Sequence, residues 1–510
     1  MGLAQFALLV CASFFTILMY LLPSRWGSNE YHYISQVVFG SEENRGVFAA
    51  GIPNSTAHLF DFIASGLVNL VSVETATVLL RLAGFLVISL GLGAVAHAIK
   101  MGPVALAMGL TAFLLLGQTY FGGEWIFNGI ESKVFAYGFG LLSLGGMLLQ
   151  RRLMAYSFSL IAVFFHPLVG LMFLAITTLT GFFVPRTRGP KFEKVLKSAI
   201  VATAISYPGW LRWQTLSADG ADSDLARMIY TVVRHPHHVA PFGGTHPING
   251  SEVGGWFSLS DLVFPGVVFL SLFLALRFAI ANSIRVALKV SLLLHAWVPT
   301  SFLLAWLDRD TQYFGALYLF RPMSAILLLS SIAFLAFIFE KLRFGLVKEF
   351  ALAIFLSWAL LGSPGPGQIG PMPKFVNLTP LGQSVVDMIS SETGERETIL
   401  VDFAGIQEQT GLDSQTFEMA TKRGQVSVYK FVPTRDEDIL LWWDAETERT
   451  EILSGRCNPA AVALWDYFLL QKSNVPDEVS SEIVAVEGGI ALVKLNPSAL
   501  QSFCPIPKID

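Results

Sequence analysis

Eleven apolar runs divide this chain, near residues 3–22, 75–99, 103–120, 134–149, 153–166, 168–184, 198–212, 259–276, 290–307, 318–340 and 349–362. About 20 apolar residues in a helix match the hydrocarbon thickness of a bilayer, and a helix satisfies its own backbone there. With 53% hydrophobic and only 14% charged residues, composition excludes an ordinary soluble globule. The first run has no basic residues before it and no small-residue cleavage site ahead of Pro23, so it reads as an uncleaved membrane helix. Residues 58–73, interrupted by Asp61 and Asn69, read as a helix lying along the membrane surface.

Charge orients the bundle. With the N-terminus in the cytoplasm, the inner turns hold Lys100, Arg151, Arg152, Arg186, Arg188, Lys191, Lys194, Lys197, Arg277, Arg285, Lys289, Lys341, Arg343 and Lys348. Short basic turns mark the cytoplasmic side. The opposite side collects the longer loops 23–57, 121–133, 213–258 and 308–317, with most of the His, Asp, Glu and Trp. A net charge of −4 and the absence of a basic block exclude a nucleic-acid partner.

After the linker Ser363-Pro364-Gly365-Pro366-Gly367 the composition changes, so residues 1–362 read as the membrane domain and 363–510 as a soluble α/β domain outside the cytoplasm. Residues 398–403, 426–431, 483–486 and 489–495 have strand composition, the last two joined across Gly488-Gly489. Residues 381–392, 436–447 and 459–470 read as helices. Cys457 and Cys504 are candidates for a disulfide if this domain faces an oxidising space.

Polar groups crowd the outer ends of the runs. The first loop carries Trp26, Asn29, Glu30, Tyr31, His32 and Tyr33. An interfacial aromatic belt accounts for the rings, whereas a carboxylate and an imidazole at that depth suit chemistry on a lipid headgroup. The second loop carries Glu124, Glu131 and Lys133, of which Glu131 also fits a helix-capping role. His166 precedes the helix-breaking Pro167, and Arg234, His235, His237 and His238 form a tract without the i, i+4 spacing of common zinc sites. Arg321 lies inside an apolar run, where a guanidinium needs an anion; a lipid phosphate suits its fork of donors.

This layout resembles the GT-C class of membrane glycosyltransferases. The first helix is followed by a long outer loop with an acid (Asn29-Glu30-Tyr31-His32), then a second acidic loop and a soluble tail. The familiar acidic pair is here a single Glu30 after Asn29; Trp442-Trp443-Asp444 lies in a helical run ending Ala445-Glu446 and is set aside. The resemblance implies a GT-C-like fold of about eleven transmembrane helices and a polyprenyl-phosphate-linked sugar donor. It implies Glu30 as general base, with Glu124 and Glu131 assisting or binding a divalent ion, Mg or Mn. The residues themselves leave any cofactor open. Lys133, Arg234 and Arg321 would then hold the lipid phosphate, and His32, His166, His235 and His237 would orient hydroxyls. Expected partners are membrane lipids, the lipid-linked donor, and membrane proteins docking on the tail; the expected location is a bacterial inner membrane. Two alternatives stand beside this reading. One is a transporter or flippase with its polar loops as a vestibule. The other is a non-catalytic assembly subunit, whose mark would be a first-loop acid buried in a salt bridge.

Overall fold

A computed structural model describes residues 2–21, 28–39, 57–122, 125–127, 129–185, 191–215, 222–340, 346–358, 377–394, 396–428, 432–433, 435–454, 465–496, 499 and 502–503. Each apolar run coincides with helix. Four of these, Leu3–Tyr20, Val73–Ala98, Leu259–Phe278 and Asn282–Leu307, are long and apolar enough to cross a membrane. Pro103–Leu115, Arg152–Phe165, Pro167–Phe183 and Pro322–Ile338 are apolar but shorter. That character marks a membrane protein, with four helices of full spanning length among the described residues. The segment after Ala57 is a helix, His58–Val68, that buries Phe60 and Ala64 while Phe62 stays exposed.

Close backbone approach holds the bundle. A Cβ on Gly91 would come 2.6 Å from the Gly138 carbonyl, so Val73–Ala98 and Ser132–Leu148 cross where both lack side chains. Three hydroxyls meet nearby: Ser143 Oγ lies 2.7 Å from Ser159 Oγ and 2.8 Å from Thr177 Oγ1, joining three helices. The 290–307 run is broken between Asn282–His295 and Trp297–Leu307. Pro299 explains the break, since it has no N–H to give the carbonyl of His295.

In the tail a four-stranded sheet runs in the order Ile399–Val401, Tyr467–Gln471, Ile490–Lys494, Ile483–Glu487. The first pair is parallel and the others antiparallel. The Gly488-Gly489 hairpin is formed as read, both glycines having positive φ. Pro380–Glu392 and Asp436–Leu453 are helices as expected.

Two expectations fail. The run through Leu470 is the central strand Tyr467–Gln471 instead of a helix; residues 459–464 lie outside the described residues. Tyr467 and Leu469 pack into one core and Phe468 and Leu470 into another, so this strand is apolar on both faces and loses the alternation that marks half-buried strands. Of the strand read over 426–431, residues 426–428 are not strand and 429–431 lie outside the described residues; the preceding Gly424 makes an isolated bridge to Thr398. Cys457 and Cys504, with the disulfide read for them, lie outside the described residues.

The tail joins the bundle through Asp436–Leu453. Ile439 and Trp442 of that helix share a core with Ala226 and Ile229, and Trp442 Nε1 donates to the Val428 carbonyl at 3.1 Å.

Candidate functional site

Glu30 sits in the first turn of Ser28–Phe39 and is wholly buried. Both carboxylate oxygens are engaged: Arg81 on Val73–Ala98 donates through Nε and Nη2, and the Ile130 amide donates to Oε1 at 2.5 Å. Gly129 makes room for this. Its φ of +123° favours glycine, and any Cβ there would run into the Glu30 carboxyl. A carboxylate gripped in this way must break a bidentate charge-assisted pair before it can take a proton. Such a grip works against the general-base role read for Glu30.

The next residues of the same loop form a second pair. Lys133 Nζ lies 3.0 Å from Glu131 Oε2, and both are buried. Ser132 Oγ donates to the Tyr33 hydroxyl at 3.4 Å. Burial, followed by the Glu131 charge, pushes the Tyr33 phenol up to about 12, while Lys133 and Arg321 oppose that rise. Tyr33 thus stands where the first loop, the second loop and Arg321 come within electrostatic reach.

Arg321 lies at the N-terminus of Pro322–Ile338 and is half-buried. Its Nη1 donates to His166 Nε2 at 3.1 Å, and its guanidinium carbon sits 4.3 Å over the Tyr318 ring. His166 caps Pro167–Phe183, accepting from the Val169 amide at 3.5 Å through Nδ1. A neutral imidazole carries one N–H, so it cannot accept fully at both nitrogens; the shorter, charge-assisted contact from Arg321 dominates.

The histidine tract meets this group from another side. Residues Ile229–Arg234 form a π-helix, a rare geometry that recurs at functional sites. It delivers Arg234, buried, and His235, whose Nδ1 lies 3.1 Å from the Tyr230 carbonyl. Burial first, then the charges of Arg234 and His238, holds the His235 imidazole well below its usual range, so it is neutral at physiological pH. The Tyr230 and Tyr318 hydroxyls are 2.8 Å apart, and the His235 and His238 rings lie 6.0 and 6.2 Å from the Tyr318 ring. His238 Nδ1 bonds the Gly122 carbonyl, and His237, exposed, packs its ring 4.0 Å from His238.

The structure therefore brings Glu30, Glu131, Lys133, His166, Arg234, His235, His237 and Arg321 into one neighbourhood from separate segments. Glu124 and the His32 side chain lie outside the described residues. His246 sits apart, its ring 5.9 Å from Trp443 on the tail helix. Asp308 is a structural acid: it accepts from Thr311 Oγ1 and from the amides of Tyr313, Phe314 and Gly315. Among the described residues, no group of three or more His, Cys, Asp or Glu side chains forms a set able to hold a metal ion.

Two participants escaped the sequence reading. Arg81 left a signal, as the one charged residue between Glu74 and His97 in an apolar run. Tyr318 left none, because a tyrosine near a membrane surface is ordinary.

No protein-family model and no curated protein matches this chain. Among solved structures it is similar to a crystal structure of the Archaeoglobus fulgidus oligosaccharyltransferase in complex with Zn and sulfate. The TM-score is 0.37 at 12% identity, over 92% of this chain and 68% of that one. A likeness at that level carries no functional conclusion.

Proposed function

We propose that this protein is a membrane glycosyltransferase of GT-C type that transfers a sugar from a polyprenyl-phosphate-linked donor at the outer membrane surface. The observation that carries the proposal is the setting of Arg321. An imidazole and a phenol ring set the direction of its fork, in a neighbourhood that also holds Arg234 and the neutral His235. Such a site suits an anion on a lipid, and transfer from a lipid phosphate calls mainly for positioning and charge neutralisation. In this reading the acid that takes the acceptor's proton is Glu124 of the 121–133 loop, since Glu131, like Glu30, is buried in an ion pair. Glu30 becomes the strut that holds that loop through Ile130. The asymmetry of basic turns supports a cytoplasmic N-terminus and an extracytoplasmic 363–510 domain.

The test is transfer from a radiolabelled polyprenyl-phosphate sugar by the full chain in lipid nanodiscs. Glu30→Gln should retain turnover per folded molecule, whereas Glu124→Gln should lose it about 100-fold or more, the scale of a general base. Loss confined to Glu30→Gln returns the base to the first loop.

One observation favours a second reading. A first-loop acid buried in an ion pair is what a non-catalytic assembly subunit would carry. Absence of transfer by the wild type, together with retained assembly of a partner complex, would select it.

A further inference from the structure

Tyr318 is the strained residue of the neighbourhood. Its φ and ψ of 52° and 62° place it in the left-handed region, where a bulky side chain is a conformational outlier. Strain of this kind persists only where surrounding contacts over-determine it, and it gathers at functional sites. The contacts are present. Asp308 ties down Tyr313, Phe314 and Gly315; the Tyr318 amide donates to the Gly315 carbonyl at 2.9 Å; and Trp297 Nε1 donates to the Leu319 carbonyl at 2.8 Å.

The strained turn has a geometric product. The Arg321 amide donates to the Tyr318 carbonyl at 2.9 Å, closing a turn that folds the guanidinium back over the Tyr318 ring. The phenol is held from its other end by the Tyr230 hydroxyl at 2.8 Å, which ties it to the π-helix that delivers Arg234 and His235. A loop serving only as a connection has no need of a bulky residue here, since glycine or asparagine takes this conformation more cheaply.

We infer that Tyr318 is a positioning residue, spending backbone strain to present the Arg321 guanidinium to an anionic headgroup and to couple it, through Tyr230, to the histidine segment. The inference deepens the reading of Arg321 as the phosphate partner and rests on it for the ligand, though not for the positioning.

The experiment uses the full chain in phospholipid nanodiscs and two readouts. The first is the rate of phenylglyoxal modification of Arg321, followed by mass spectrometry without added ligand. The second is the affinity for undecaprenyl phosphate. Tyr318→Asn suits the backbone and removes the ring, so Arg321 should be modified several-fold faster and the lipid should bind about fivefold more weakly, the scale of a partly exposed cation–π contact. Tyr318→Phe keeps the ring and should stay near wild type in modification rate. Tyr230→Phe loses only the hydroxyl tie and should fall between. Faster modification in Tyr318→Asn with no lipid binding even by the wild type upholds the positioning role and rejects the phosphate reading. An unchanged modification rate in Tyr318→Asn overturns the inference whatever the lipid does. Should that variant not fold, Tyr318→Leu keeps bulk without a π face, and an unchanged rate there overturns it equally.

Discussion

Two arginines in this molecule meet opposite fates a short way apart. Arg81 is buried against Glu30, which also takes the Ile130 amide, so the charges are closed off in a dry layer. Arg321 is half-buried, donates to His166 and lies over the face of Tyr318, contacts that fix its direction. An ionic residue in an apolar setting can be a structural tie or a binding group, and its partner's charge separates the two roles. A carboxylate partner consumes the field; an imidazole or aromatic face preserves it.

The largest effect should come from breaking the closed pair. Arg81→Ala strands the Glu30 carboxylate in its buried position and should destabilise the fold by about 3–5 kcal/mol. Unfolding in detergent micelles measures this, and Gly129→Ala should act in the same direction by pushing a methyl into that carboxyl. A loss below about 1 kcal/mol from Arg81→Ala would mean that the pair is not structural.

Arg321→Ala should reverse the pattern. Affinity for a polyprenyl phosphate should drop by about 1.5–3 kcal/mol, the worth of hydrogen bonds to a charged group, with little change in unfolding. If it destabilises as much as Arg81→Ala and leaves lipid affinity intact, the two arginines belong to one class and the contrast is lost.

A buried acid sharpens the rule by lacking a cation among the described residues. Glu418, in the tail, is buried; the Gln425 amide donates to its Oε1 at 2.6 Å, and its Oε2 has no hydrogen-bond partner. Burial, opposed by that amide, pushes its carboxyl up to about 8 from 4.5. Because the folded value is the higher one, the folded state binds more protons between these limits. Its contribution to stability is full below about 4.5 and is lost as pH rises through about 8, by at most about 1.4 kcal/mol per pH unit. Glu418→Gln should flatten the dependence of the melting temperature over that window. An unchanged slope would mean that Glu418 stays ionised in the fold.

The smallest effect belongs to a neutral node in the bundle. Ser143→Ala removes the hydroxyl shared with Ser159 and Thr177 and should cost about 0.6 kcal/mol, typical of hydrogen bonds between membrane helices. A loss comparable to Arg81→Ala would show that burial alone, without charge, sets the scale.

The sequence by itself determined the helical character of the apolar runs, a strand-bearing tail and the Gly488-Gly489 hairpin. Those follow from local hydropathy, β-branching and glycine, which act within a few residues. It also marked Arg321 and the loop acids as groups needing an explanation, since charge beside an apolar run is costly anywhere. Only the tertiary structure decided what each charge does. Glu30 shows nothing in sequence of its buried pairing with Arg81, 51 residues away. The Tyr467–Gln471 strand was misread for a related reason: Val385, Ile389 and Ile406 cover one of its faces and Ile452 and Val479 the other, which erases the local period. Tyr318 shows the limit most plainly. Its left-handed backbone and the guanidinium over its ring arise from a turn pinned by Asp308, Trp297 and Tyr230, partners that only folding brings together.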